Sequence, residues 1–230
     1  MIDLTDFSWE RHEVTTDDGY INTLYRIYQD SPEDKPAVLF QHGILATSDD
    51  FVIAPPGQGP AFVAAEAGYD VWLGNSRGNR YSLKHETLNS YIDTSYWEHS
   101  FAEIGKYDLP AFLSFITEET GNKKVSIVAH SQGTTATFYG MAKRPEFYRE
   151  HVNLFIALAP VAKMSRMEPL TAIVARFLLD HLSLVKFFNL HVLLPYTRFN
   201  PVPTLCWMMP KTCLAAMHYL DTSDTQMLDH

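Results

Sequence analysis

Lys124–Met141 reads KVSIVAHSQGTTATFYGM. Its first part, Val125–Ala129, is short, apolar and rich in β-branched residues, the pattern of a buried strand. A sharp turn follows at Ala129-His130-Ser131-Gln132-Gly133, and Thr134–Met141 has the spacing of a helix, with Phe138 and Met141 on one face. Strand, tight turn and helix with a serine at the apex is the context a nucleophile elbow requires. A serine hydroxyl is a weak nucleophile. It must be held exposed in a strained turn with small neighbours two positions away on each side. Gly133 meets that demand, and Ala129 stands where the usual pattern has glycine. Gln132, the next residue, offers its backbone N–H to an oxyanion at the positive end of the helix. The plainer alternative is an ordinary strand-to-helix turn with a capping serine.

Outward from this stretch, the chain reads as alternating strands and helices. His12–Thr15 and Tyr20–Ile27 are joined by Thr16-Asp17-Asp18-Gly19, a hairpin signal. Ala37–Phe40 is a strand that runs into Gln41-His42-Gly43-Ile44-Leu45. A His-Gly pair there suits a second oxyanion donor, the N–H of Ile44; it equally suits a glycine turn beside a hydrogen-bonding histidine. Ala61–Ala67 reads as a helix closed by Gly68, and Tyr69–Leu73 as a strand entering Gly74-Asn75-Ser76-Arg77-Gly78-Asn79. Arg77 reads first as an exposed loop charge, next as a structural ion pair, and last as catalytic. Tyr81–His99 is irregular and aromatic. Asp108 has the look of an N-cap for a helix carrying Leu109, Phe112, Leu113 and Ile116, ended by Gly121. Asn153–Ala159 is a further apolar strand. This order predicts an α/β fold, a mostly parallel sheet with helices on both faces, over residues 1–162. After Pro160 the pattern changes. Residues 163–230 predict a helical cap or lid, with Ser165–Leu194 amphipathic and Pro195–Pro210 proline-broken; more core helix is the alternative.

Composition narrows the function classes. The 230 residues are 46% hydrophobic and 20% charged, with a formal net charge of −9. That balance and the lack of any basic cluster argue against a nucleic-acid surface. No cluster has metal-ligand spacing, so no metal or other cofactor is expected. Leu170–Leu194 is broken by Arg176, Asp180, His181 and Lys186, so it is not expected to span a membrane. Cys206 and Cys213 suit either one local disulfide or two thiols. No signal peptide precedes Asp3, and there is no Asn-x-Ser/Thr sequon.

Taken together, several stretches carry a family resemblance. They are DDGYINTLYRI (Asp17–Ile27), LFQHGILATSDDFVI (Leu39–Ile53), GYDVWLGNSRGNRYS (Gly68–Ser82), GKYDLPA (Gly105–Ala111), HSQGTT (His130–Thr135) and ALAPVA (Ala157–Ala162). In content and order the chain resembles the acid lipases, the lysosomal acid lipase and gastric lipase family of α/β-hydrolases. The resemblance covers nearly everything from Glu13 to Ala162 and is loose in the cap. It implies the α/β-hydrolase fold and a lipase or steryl-ester hydrolase acting on neutral lipid esters at a lipid–water interface. It implies Ser131 as nucleophile, and Gln132 and Ile44 N–H as oxyanion donors. It also implies a secreted or lysosomal, glycosylated protein active at acid pH. A non-catalytic lipid-binding protein of the same fold and a short-chain serine esterase are the competing readings.

The departures are Ala129, the missing signal peptide, the missing sequons and the end of the sequence within the cap. In this fold the triad runs Ser, Asp, His, with the last two after later strands. His218, His230, Asp221, Asp224 and Asp229 near the end read as a solvated polar segment, and His130 reads as a packed histidine that faces away. The expectation is therefore a chain without its acid and base. Losing the histidine of a triad costs on the order of 10⁶ in kcat, so near-inactivity is expected, with Leu154–Leu158 left as an unpaired apolar edge.

Overall fold

The computed structural model describes residue 2 and residues 5–162. The expected cap, Cys206, Cys213 and the histidines and aspartates near the end of the sequence lie outside the described residues.

Strands β1 (Ser8–Thr15) and β2 (Tyr20–Tyr28) form the expected antiparallel hairpin, with Gly19 at φ 90° supplying the turn. Next come β3 (Ala37–Gln41), helix α1 (Pro60–Glu66), β4 (Asp70–Gly74) and the two-residue β5 (Lys84–His85). A helical run follows, made of α2 (Phe101–Glu103), one π turn (Ile104–Asp108) and α3 (Leu109–Thr120). Then come β6 (Val125–His130), α4 (Gln132–Lys143), α5 (Pro145–His151) and β7 (Val152–Leu158). The strand order is β1-β2-β4-β3-β6-β7, with β5 paired to β2. Pairing is parallel from β4 through β3 and β6 to β7, and antiparallel at β1–β2 and β2–β4.

The two-residue pleat sorts the core. Ala37 and Leu39 of β3, Trp72 of β4 and Val125, Ile127 and Ala129 of β6 pack against Phe112, Leu113 and Ile116 of α3, Ala136 of α4 and Tyr148 of α5. Val38, Phe40, Val71 and Leu73 point the other way and meet Ala61, Phe62 and Ala65 of α1. Helices therefore cover both faces, as expected. On β7 the alternation continues without cover: Leu154, Ile156 and Leu158 are 53%, 42% and 41% exposed.

Two expectations are corrected here. Asp108 is not a cap. Its own backbone is helical and its side chain makes no capping bond. The helical run starts earlier, at a capping box in which the Ser100 hydroxyl accepts from Ala102 N–H and the Glu103 carboxylate accepts from Ser100 N–H. Nor is Arg77 exposed; it is 4% accessible and pairs with Asp18 and Asp108. Arg77 Nε donates to Asp108 Oδ1 at 2.8 Å, Arg77 N–H donates to Asp108 Oδ2 at 3.0 Å, and both terminal nitrogens donate to Asp18. One guanidinium thus ties the β1–β2 turn, the loop after β4 and the π turn together, its Cζ 3.8 Å from the centroid of the Tyr20 ring. Burial alone would raise the Asp18 carboxyl, but bonds from Arg77 and Thr16 hold it below its ordinary value. Asp108 is pushed up by complete burial, opposed by Arg77.

Candidate active site

The parallel strands β3, β6 and β7 bring their C-terminal ends to one edge of the sheet, where ligands of open α/β sheets collect. Ser131 sits there, between β6 and α4, with φ 50° and ψ −119°. A non-glycine residue with that φ is strained, at a cost of order 1–3 kcal/mol, and persists only where its surroundings enforce it. Here the enforcing contacts are explicit. Ser131 N–H donates to Leu158 O of β7 at 3.0 Å, and Ser131 O accepts from Thr134 N–H at 2.9 Å and from the Thr134 hydroxyl at 2.6 Å. The Thr134 hydroxyl in turn accepts from Val161 N–H, and Thr135 donates to Val161 O. The segment after β7 is thereby fastened to the first turn of α4.

Small residues make the approach possible. A Cβ on Gly133 would lie 2.7 Å from His42 O and 2.8 Å from Gln41 O, so any side chain there would drive α4 off the end of β3. A Cβ on Gly43 would lie 2.9 Å from Ser131 Cβ. Ala129, where the usual pattern has glycine, is fully buried in the core cluster that also holds residues of α3 and α4.

Gln132 opens α4, and the first N–H groups of a helix have no partner within it. Opposite lies the turn after β3, where Leu45 has φ 59° and Ile44 and Leu45 expose their side chains, 62% and 75%. The three residues singled out in the sequence therefore belong to two turns in contact, one holding Ser131 and Gln132 and the other Gly43 and Ile44. His130 is half-buried, with its Nδ1 beside Gly43. Among the described residues, no side chain hydrogen bonds to the Ser131 hydroxyl.

A polar network lies beneath the Gly43 turn. His42 is buried, its Nδ1 lies 2.8 Å from Gly43 O, and its Nε2 accepts from Ser76 N–H and from the Asn79 amide, both at 3.1 Å. Gln41 Nε2 donates to the Ser76 hydroxyl, and Asn75 exchanges hydrogen bonds with Ser48. Burial depresses the His42 pKa to about 4, so the ring is neutral. The signal in the sequence was the density of Asn, Ser and Gln in Gly74–Asn79 and at Gln41, polar residues beside two apolar strands.

Residues 1–55 match a family profile described as a partial alpha/beta-hydrolase lipase region, and residues 36–183 match the alpha/beta hydrolase fold. Human lipase member K is 42% identical over 185 residues, covering 76% of this chain and 46% of that protein. Human lysosomal acid lipase/cholesteryl ester hydrolase is 42% identical over 170 residues, covering 72% and 42%. The chain thus spans less than half the length of either relative. A crystal structure of a Pyrococcus furiosus esterase superposes with a TM-score of 0.52 at 17% identity, over 83% of this chain and 64% of that one, a likeness of fold alone.

Proposed function

The chain belongs to the α/β-hydrolase family, and from that premise we propose a lipase that cleaves neutral lipid esters through a serine acyl-enzyme. Ser131 Oγ attacks the ester carbonyl, and the oxyanion is held by the N–H groups of Gln132 and Ile44. The alcohol leaves with a proton, and water then releases the fatty acid. The observation that carries this reading is the strained backbone of Ser131, φ 50°, with Gly43 against its side chain. A serine that merely capped α4 would have no need of that conformation, and Ser131 makes no side-chain capping bond. Exposed Ile44 and Leu45 beside it suit an apolar acyl chain or a lipid surface. A lysosomal location is proposed from the name of the lysosomal acid lipase relative.

The reading needs a base to take the Ser131 proton, and that group is to be sought outside the described residues. That no side chain among the described residues hydrogen bonds to the Ser131 hydroxyl favours a second reading, a lipid-binding protein of this fold without catalysis. A fluorophosphonate decides between them. Covalent labelling of Ser131, located by mass spectrometry and abolished by Ser131→Ala, is expected of the lipase; no labelling above that of the denatured protein overturns it. A series of p-nitrophenyl esters separates a lipase, whose rate rises with acyl length, from a short-chain esterase, whose rate falls.

A further inference from the structure

His42 lies one residue before Gly43 and two before Ile44. Its ring is closed in on both nitrogens. Ser76 N–H is an obligate donor and points at Nε2 from 3.1 Å, so Nε2 carries no proton. The proton of the neutral ring is therefore on Nδ1, and Nδ1–H donates to Gly43 O at 2.8 Å. The tautomer is set by Ser76, on the loop after β4, and spent on a carbonyl in the turn after β3.

That carbonyl belongs to the same peptide unit as the N–H of Ile44. A peptide unit is planar and, here as at every other bond among the described residues, trans, so its C=O and N–H point in opposite directions. Holding Gly43 O inward on the buried imidazole turns Ile44 N–H outward, away from His42. Gly43 has no side chain to restrain its dihedrals, so on that side nothing but the bond to His42 fixes the rotation of this peptide.

We propose that His42 is a positioning residue that aims the Ile44 N–H at the oxyanion, acting through the rigid Gly43–Ile44 peptide with its tautomer dictated by Ser76. This rests on the lipase reading of Ser131. A pre-aimed donor is what oxyanion stabilisation requires, because reorganisation at the moment of reaction would consume the gain.

The test compares three substitutions. In His42→Asn the amide nitrogen overlays Nδ1 and keeps the bond to Gly43 O. In His42→Gln the amide group overlays Nε2 and keeps only the Ser76 side. His42→Leu keeps neither. The rate of Ser131 phosphonylation and the hydrolysis of a p-nitrophenyl ester are measured alongside melting temperature. Expected are losses of ~10² in rate for His42→Leu and His42→Gln, the typical effect of one oxyanion donor. KM should be little changed, and His42→Asn should stay within ~10-fold of the parent. If His42→Leu does not fold, His42→Gln against His42→Asn decides. Equal rates for Asn and Gln, or rates that simply follow melting temperature, overturn the proposal. A parent protein whose Ser131 does not label overturns the lipase reading and this one with it; a parent that labels while His42→Gln keeps its full rate overturns this one alone. Independently of activity, ¹⁵N NMR of the His42 ring at neutral pH should show the proton on Nδ1, and a proton on Nε2 is a contrary result.

Discussion

Gly43 and Ser131 approach so closely that a methyl group on the glycine would lie 2.9 Å from the serine Cβ, closer than real side-chain carbons approach. The turn after β3 and the turn after β6 are therefore packed backbone against side chain. Gly43→Ala should separate the two turns. An expected loss of about 10² in the rate of Ser131 acylation follows from a displacement of about 1 Å at the reacting atoms. Phosphonate labelling kinetics measure it, and an unchanged rate would show that the turns act independently.

Gly133→Ala is a different case, because its Cβ would strike two backbone carbonyls, Gln41 O and His42 O, which cannot swing aside. The expected outcome is a loss of about 1–3 kcal/mol of folding stability, the usual cost of overpacking. Urea denaturation reads it directly.

Arg77→Met should be more damaging than any surface charge change. It leaves Asp108, completely buried, without its counter-charge. Breaking a buried pair on one side costs about 3–5 kcal/mol, whereas removing both charges costs much less. Arg77→Met/Asp108→Leu is therefore expected to recover much of the loss of the single variant. Arg77→Lys should not, since an ammonium cannot serve Asp18 and Asp108 together through a planar fork. Thermal and chemical denaturation of the three variants test the sign of the difference.

Burial depresses His42 and His99 to about 4, His99 with a further push from Arg77. Between pH 4 and the ordinary histidine value of 6.5 the unfolded chain binds protons that the folded chain refuses. Stability should therefore be complete above about pH 6.5 and fall as pH drops toward 4, by up to about 1.4 kcal/mol per unit for each ring. Urea midpoints across that range should show the slope, and His42→Gln should reduce it.

The exposed stripe of β7 makes a solubility prediction. Leu154, Ile156 and Leu158 share one face, and β7 pairs only with β6 among the described residues. An open apolar edge templates association. Leu154→Lys with Ile156→Thr should raise the monomer fraction in size-exclusion chromatography at high concentration. The change in stability should stay within about 1 kcal/mol, because neither side chain is buried.

What the amino-acid sequence determined by itself was the order of elements and the elbow. Strands at Ala37, Asp70, Val125 and Val152 and helices at Pro60 and Gln132 fall within a residue or two of where local apolar spacing, the Asp-Gly turn and prolines put them, because those signals are carried by neighbours a few residues apart. The strand–turn–helix at Ser131 was legible for the same reason, since Val125–Ala129, Gly133 and the helical spacing after it lie in one short stretch. The tertiary structure alone decided the rest. Arg77 became a buried tie because Asp18 and Asp108, 59 and 31 residues away, arrive at its guanidinium. Asp108 stopped being a cap once that bond claimed its carboxylate. The tautomer of His42 was set by Ser76, 34 residues further on. Contacts of that range depend on how the sheet orders its strands, β4 beside β3 and β3 beside β6, and no local period encodes that order.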